Sequence, residues 1–235
     1  MDLCANLNHV RQRVCAACVR SGRQAESVTL ITVSKGQPAE VVCAAAELGL
    51  SIFGESRVQE AKAKIGLCPG RLRWHLIGHL QSNKCRDAVH FFAMIQSVDS
   101  LALAREIDRW AEKSAKTMPV LIEVNVAGES SKFGYAPEKV LAELKEINAL
   151  PRIELHGLMT VAPLAQEAEK VRPVFGRLRE LRGQCEDLLG APLPELSMGM
   201  SGDFEVAVEE GATMIRLGSA VLGPRTAPRR AAGDP

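Results

Sequence analysis

No charge of one sign dominates this sequence, and no stretch of it stays apolar for long. Lys and Arg total 29 of the 235 residues against 28 Asp and Glu, a formal net charge of +1 at pH 7. We therefore expect neither nucleic acid nor a membrane surface as a partner, since both attract strongly basic proteins. No apolar run approaches the roughly 20 residues of a membrane-spanning helix, so we expect no membrane segment.

We also expect no signal peptide, no disulfide framework and no metal site. Residues 1–6 hold no basic region followed by an apolar core. The seven cysteines are odd in number and scattered among apolar residues, which fits reduced thiols in a cytoplasmic protein. Cys15 and Cys18 form a C-x-x-C pair without a second pair, and His75 and His79 flank a predicted strand end. We therefore predict no bound metal.

Short apolar runs and amphipathic stretches alternate along the chain. An amphipathic helix comes first, with apolar residues at positions 3, 7, 10, 14 and 18. Eight apolar runs of strand length follow, at residues 29–35, 50–54, 72–78, 91–96, 120–126, 153–159, 195–198 and 213–217. Each run leads into a helical pattern, and strand then helix, repeated in this way, is typical of a (β/α)₈ barrel. We predict an α/β protein with a single TIM-type barrel over residues 1–225, an extra N-terminal helix and a disordered tail at 226–235.

The first predicted strand ends on a lysine, Lys35. In a barrel of this type the functional sites lie at the carboxyl ends of the strands, which would place this amine in a pocket. An amine held among apolar neighbours has a lowered pKa and becomes a nucleophile that forms Schiff bases. A solvated lysine at a strand end is the alternative that this stretch leaves open.

The loops after the seventh and eighth strands suit a phosphate group. Ser201 lies in the sequence Ser-Met-Gly-Met-Ser-Gly at 197–202, and Gly218 and Ser219 directly follow the last strand. In barrels these two loops often bind phosphate, and free backbone N–H groups at helix N-termini favour an anion. Ser201 could instead be only an N-cap, and Gly218 only a turn residue.

Arg216 lies within the last apolar strand. A guanidinium keeps its charge and is rarely buried without a partner. That partner is either a carboxylate of the barrel or an acceptor on a ligand. A phosphorylated aldehyde, pyridoxal 5′-phosphate, would suit this combination of features. They are an amine on the first strand, two loops suited to phosphate, and this arginine.

Six motifs occur in order between residues 33 and 218, and together they resemble one family. They are Val-Ser-Lys (33–35), Phe-Gly-Glu with Val-Gln-Glu (53–60), Trp-His-Leu-Ile-Gly with Leu-Gln-Ser-Asn-Lys (74–84), His-Gly-Leu-Met-Thr (156–160), Leu-Ser-Met-Gly-Met-Ser (196–201) and Ile-Arg-Leu-Gly (215–218). Over residues 28–225 the sequence resembles the YggS/PROSC family of pyridoxal phosphate homeostasis proteins. Each motif alone is weak evidence for a family, but six motifs in the same order are specific.

The resemblance implies a barrel like the N-terminal domain of alanine racemase, which is the type III fold of pyridoxal phosphate proteins. It implies that Lys35 holds the cofactor as a Schiff base and that Arg216 faces the pyridine nitrogen. The phosphate ligands that it implies are Ser201, Gly218 and Ser219. It implies no catalytic residue.

Two positions depart from the family pattern. Ser56 stands where the family usually has asparagine, and we expect its side chain to replace that residue's contact with the cofactor in part. Gly36 stands where a bulkier residue is common, which would loosen the turn after Lys35. Ser56 therefore completes the set of expected cofactor-binding residues.

From the resemblance we predict a carrier of intracellular pyridoxal phosphate (vitamin B6) homeostasis, which holds the cofactor on Lys35 and releases or transfers it. The expected recipients are pyridoxal phosphate-dependent apo-enzymes, and the expected state is a monomer. The alternative is a type III enzyme, an amino-acid racemase or decarboxylase. A two-base racemase needs a proton donor on each face of its substrate, and the single tyrosine, Tyr135, gives no convincing second base. A Schiff-base aldolase without a cofactor would need neither Arg216 nor two phosphate loops.

Overall fold

The predicted strands close into one parallel barrel. The structure, a computed structural model, describes residues 2–129 and 131–224. The eight strands are hydrogen-bonded in chain order, and the last pairs with the first. They are β1 (Thr29–Val33), β2 (Ile52–Glu55), β3 (Arg73–Leu76), β4 (Met94–Val98), β5 (Met118–Glu123), β6 (Ile153–Met159), β7 (Glu195–Ser197) and β8 (Met214–Leu217). The predicted (β/α)₈ barrel is therefore confirmed.

One helix precedes the barrel, and the others follow its strands. The α-helices of the described part are α1 (Leu3–Arg20), α2 (Ala39–Glu47), α3 (Val58–Ile65), α4 (Cys85–Phe91), α5 (Leu101–Lys113), α6 (Pro137–Asn148), α7 (Arg172–Leu189), α8 (Phe204–Glu209) and α9 (Ser219–Leu222). The extra helix, α1, packs against α8 and α9. None of the described helices is both long and apolar enough to cross a membrane. The predicted tail at 226–235 lies outside the described residues.

The interior of the barrel has an apolar layer and a polar layer. The apolar layer is a cluster of buried side chains, namely Ile31, Met94, Leu121, Met159 and Met214. Alternate residues of a strand share one face, so the residues two positions later also point inward. On three of these strands they are Gln96, Glu123 and Arg216, and all three are buried. The polar layer therefore lies nearer to the carboxyl ends of the strands, where functional sites of this fold form.

Only β6 has its predicted bounds; the other seven strands differ by one to three residues at one end or both, and for two of them a local reason is clear. β5 ends at Glu123, because Asn125 leaves the sheet to form a loop. Its backbone N–H donates to the carbonyl oxygen of Tyr135 at 2.9 Å, and its side-chain amide donates to the carbonyl oxygen of Glu129 at 2.8 Å. β4 begins later than predicted, because Phe91 still belongs to α4. Both errors concern element ends, where a side chain or a neighbouring helix decides the boundary.

Gly157 lies where β6 pairs with β7, in register with Glu195. A Cβ atom at this position would lie 1.9 Å from the carbonyl oxygen of Glu195, so the two strands would have to separate. We expect Gly157→Ala to lower the free energy of unfolding by about 3 kcal/mol or more, the upper range for overpacking. Urea denaturation measures this change.

Gly183→Ala is the matched control. This glycine lies within α7, and a Cβ atom added to it has nothing within 4 Å. Because alanine favours helix over glycine, the control should gain up to about 1 kcal/mol. Equal stabilities of the two variants would contradict the close approach of β6 and β7.

Candidate functional site

One cavity at the carboxyl ends of the strands contains every site residue predicted from the sequence. Its volume is about 600 Å³, and its lining includes Lys35, Ser56, Ser201, Arg216, Gly218 and Ser219. Residues from both ends of the chain meet here because β8 pairs with β1, with Arg216 in register with Ile31. A second cavity, of about 720 Å³, lies between residues 125–138 and α7, and its described lining includes none of those six residues.

Lys35 follows β1 and lies within a tight turn. The backbone N–H of Gln37 donates to the carbonyl oxygen of Ser34 at 3.0 Å, which closes a four-residue turn around Lys35 and Gly36. Gly36 has a φ of +73°, the left-handed conformation that a type II turn needs at its third position and that glycine adopts without strain. Lys35 is partly buried. It is therefore not a fully solvated lysine at a strand end, the alternative considered from the sequence.

Arg216 lies in the cavity lining and is bound by uncharged groups of the barrel. Its side chain is 4% exposed. Nη1 donates to the hydroxyl oxygen of Ser197, and Nη2 donates to the carbonyl oxygen of Thr160, both at 2.8 Å. Burial lowers the pKa of Arg216 to about 10, and the nearby carboxylates of Glu123 and Asp203 oppose this shift. The guanidinium is therefore a cation at neutral pH, and its hydrogen-bond partners within the described residues are not carboxylates.

A chain of hydrogen bonds continues from Arg216 across the barrel. Arginine can only donate, so Ser197 accepts from it and donates its own proton to Oε1 of Gln96, at 2.7 Å. Nε2 of Gln96 then donates to Nδ1 of His75 at 2.9 Å. His75 can accept only as a neutral imidazole, and burial, helped by Arg73, lowers its pKa to about 4. In each of these bonds the donor is on the side of Arg216 and the acceptor on the side of His75. The chain therefore fixes the orientation of the guanidinium.

Glu123 is a buried carboxyl group beside Arg216. Within the described part of the chain, its Oε2 atom has no hydrogen-bond partner. Burial raises the pKa of Glu123 to about 7, Asp99 adds to the rise, and Arg216 opposes it. The group is therefore partly protonated at neutral pH. The sequence alone did not point to Glu123, Ser197 or Gln96; the available signal was a polar residue at an inward position of an apolar strand.

The loops after β7 and β8 meet at the cavity. The backbone N–H of Ala220 donates to the hydroxyl oxygen of Ser201 over 3.4 Å, a long bond that joins the two loops. α8 begins at Phe204 with Asp203 before it, so Ser201 is not the N-cap considered from the sequence. α8 and α9 have only six and four residues. Their dipoles are therefore small, and the N–H and hydroxyl groups of the loops are the available donors for an anion.

The cysteines and histidines of the described part are distributed over several helices, strands and loops. All seven cysteines are free thiols, with Cys15 exposed and Cys18 buried. His75 is inside the barrel, whereas His79 is partly exposed and its Nδ1 atom lies 2.9 Å from a carboxylate oxygen of Asp99. Among the residues that the structure describes, no three His, Cys, Asp or Glu side chains form a group that could hold a metal ion.

The chain is similar over nearly its whole length to known proteins. The family model of the alanine racemase N-terminal domain matches residues 6–226. A pyridoxal phosphate homeostasis protein of Aquifex aeolicus is 42% identical over 226 residues, which are 96% of this chain and 99% of that protein. Another protein of that name, from Pseudomonas aeruginosa, is 39% identical over 94% of both chains.

Solved structures show the same similarity. PipY of Synechococcus elongatus, solved without PLP (pyridoxal phosphate), is 40% identical with a TM-score of 0.82 over 91% of this chain and 99% of that chain. PipY with PLP bound is 39% identical with a TM-score of 0.79 over 91% and 100% of the two chains. An alanine racemase of Clostridium difficile shares the fold, with 18% identity and a TM-score of 0.73 over 96% of this chain and 57% of that chain.

Ser197→Ala tests the hydrogen-bond chain that holds Arg216. The variant leaves Nη1 of Arg216 without its acceptor and Oε1 of Gln96 without its donor, both in a buried site. We expect the free energy of unfolding to fall by about 2–4 kcal/mol, because unsatisfied buried groups, and charged ones most, are costly.

Ser97→Ala is the matched control in chemical denaturation. Ser97 is also fully buried, but within residues 2–129 and 131–224 its hydroxyl group has no hydrogen-bond partner. Its removal should therefore change stability little or raise it slightly. Equal losses in the two variants would contradict a specific role of Ser197.

Glu123→Gln tests the raised pKa of that carboxyl group. The pKa of Glu123 is about 7 in the folded state and about 4.5 in the unfolded state, so between these pH values the folded state binds the proton more tightly. The contribution of this group to the free energy of unfolding therefore falls as the pH rises through that range. The variant does not titrate there. Its free energy of unfolding relative to the wild-type protein should therefore rise with pH, by up to about 3 kcal/mol at roughly 1.4 kcal/mol per pKa unit.

Denaturation at several pH values between these limits measures the difference. Glu146→Gln is the control, because the side chain of Glu146 is 58% exposed and its replacement should give a nearly flat profile. A flat profile for Glu123→Gln as well would contradict the shifted pKa.

Proposed function

This chain belongs to the alanine racemase N-terminal domain family and, within it, to the pyridoxal phosphate homeostasis proteins, and from this we propose that it binds pyridoxal 5′-phosphate at the carboxyl ends of its strands. The observation that carries the proposal is that Lys35, Arg216 and the two loops after β7 and β8 line one and the same cavity. The protein would hold the cofactor and release it or hand it on.

The residues of the cavity fit this cofactor. A phosphorylated aldehyde needs a primary amine and donors for an anion, and a pyridine ring can also accept a hydrogen bond from a cation. Lys35 is the amine, and Arg216 is a buried cation that has five N–H groups, two of which form the bonds described above. A Cβ atom added to Gly218 would lie 3.3 Å from the carbonyl oxygen of Val33, so glycine lets the loop after β8 lie close to the end of β1.

When bound, pyridoxal phosphate supplies an aldehyde that condenses with a primary amine and releases water. Lys35 would supply that amine, and the tight turn around it would fix where the side chain enters the cavity. The hydroxyl groups of Ser201 and Ser219 and the backbone N–H of Gly218 would hold the phosphate. Ser56 directly follows β2, which pairs with β1 on the side away from β8. It would contact the cofactor from there.

Arg216 would face the pyridine nitrogen. A permanent cation that only donates disfavours protonation of that nitrogen. The bound cofactor would then be a weaker electron sink, which suits a protein that holds the cofactor without turning over a substrate.

Two further observations support a carrier without catalytic turnover. The relatives described above are named as homeostasis proteins. Tyr135, the single tyrosine, is 2% exposed, and its hydroxyl group donates to a carboxylate oxygen of Glu143 at 2.7 Å, so it is engaged away from the cavity. The proposed recipients are pyridoxal phosphate-dependent apo-enzymes, and the proposed state is a monomer. The seven free cysteines support a reducing compartment such as the cytoplasm.

Borohydride reduction tests the attachment to Lys35. The protein incubated with pyridoxal phosphate should show a near-visible absorption band, and reduction should add the mass of the pyridoxyl phosphate group to the peptide that contains Lys35. Lys35→Ala should abolish both signals. Lys113→Ala, at the exposed end of α5, should change neither. Label on a different lysine in the wild-type protein would show that Lys35 is not the attachment point.

The enzyme alternative is tested with the same loaded protein. Incubation with L-alanine and other amino acids in deuterated water should leave the α-proton in place, as followed by proton NMR. Exchange that depends on Lys35 would show that the protein is an enzyme.

A further inference from the structure

We propose that Glu55, Glu60 and Lys64 are positioning residues for Lys35, and that they determine how tightly the cofactor is retained. The proposal rests on the proposed function, since it takes Lys35 as the attachment point. None of the three belongs to the cavity lining described above. They would act through the backbone of the turn that carries Lys35.

Lys64 joins the two carboxylates to the turn. From α3, its Nζ atom donates to Oε1 of Glu55 at 2.8 Å and to Oε1 of Glu60 at 2.7 Å. The same atom donates to the carbonyl oxygen of Ser34 at 2.7 Å. One ammonium group therefore binds both carboxylates and the peptide group that directly precedes Lys35.

Each carboxylate binds the turn on a different side of Lys35. The hydroxyl group of Ser34 donates to Oε1 of Glu55 at 2.7 Å. The backbone N–H of Gly36 donates to Oε1 of Glu60 at 2.6 Å. The residues before and after Lys35 are thus both fixed by charged partners, and bonds to charged groups are the stronger kind.

Burial makes this ion cluster selective for one geometry. The side chains of Glu55, Lys64 and Glu60 are 0%, 9% and 29% exposed. A buried carboxylate, a partly buried one and a buried ammonium are favourable only when their hydrogen bonds are well formed. The cluster therefore favours the turn conformation in which these bonds form, while Oε2 of Glu55 has no hydrogen-bond partner among the described residues.

The turn needs such support because glycine follows Lys35. Glycine loses more conformational freedom on ordering than any other residue, and Gly36 must adopt a left-handed φ of +73°. With the turn fixed in the free protein, binding does not have to order it, and retention improves. The bond from Gly36 to Glu60 thus offsets the looser turn expected from the sequence.

The test compares Glu60→Ala with Glu60→Gln. Both variants remove the charge that pairs with Lys64, but glutamine keeps an oxygen acceptor for the N–H of Gly36. The dissociation constant for pyridoxal phosphate, from absorbance titration, should rise about tenfold in Glu60→Ala, the effect of one hydrogen bond to a charged group. It should rise less than about threefold in Glu60→Gln. Glu146→Ala, which removes an exposed ion pair with Arg105, should leave it unchanged.

Amide hydrogen exchange of residues 34–37 in the cofactor-free protein is the second measurement. Exchange in this segment should be faster in Glu60→Ala than in Glu60→Gln, whereas the melting temperatures of the two variants should be similar. If affinity instead follows the melting temperature, with alanine and glutamine equally impaired, the residues only stabilise the fold and the proposal is wrong. Unchanged affinity and exchange in Glu60→Ala would also overturn it.

The two proposals fail in different ways. If the wild-type protein shows no borohydride label on Lys35, the proposed function is wrong. If Lys35 of the wild-type protein is labelled and Glu60→Ala behaves like Glu146→Ala, only the positioning role is wrong.

Discussion

A buried guanidinium is the constraint on which the interior of this barrel depends. Arg216 cannot lose its charge at neutral pH, so the strands around it must provide acceptors. The hydroxyl group of Ser197 and the carbonyl oxygen of Thr160 do so, and Gln96 and His75 continue the chain across the barrel. The polar layer exists because of this cation, and it replaces apolar packing at the level where the cavity begins. The result is a donor held in a fixed orientation at the end of the barrel where the cavity lies.

The part of the cavity at the end of β1, the strand next to the one that carries Arg216, is built in another way. Lys35 lies in a turn, and turns are usually more mobile than strands. Here both flanking residues, Ser34 and Gly36, are bound by buried or partly buried charged side chains from β2 and α3. The cavity therefore has a lysine on a fixed turn after β1, a buried cation on the neighbouring strand β8, and N–H and hydroxyl groups of the loops after β7 and β8. This arrangement suits the proposed role, in which the protein holds a phosphorylated aldehyde and releases it.

Much of the fold could be predicted from the sequence because each strand is a short apolar run and each helix a periodic one. The bounds were less predictable, since a single side chain such as that of Asn125 ends a strand. Most of the cavity residues were predicted because barrel sites lie at strand ends, whereas Ser56 came from the family resemblance alone. Gln96, Ser197 and Glu55 were missed because their roles come from pairing with residues on other elements. Local sequence does not show, for example, that Ser197 lies between Gln96 and Arg216.

The most direct test of this account is a crystal structure of the protein grown with pyridoxal phosphate. We expect continuous electron density from Nζ of Lys35 into the cavity, with the pyridine nitrogen beside Arg216 and the phosphate at Ser201 and Ser219. Density on another lysine, or a ring whose nitrogen points away from Arg216, would contradict the account.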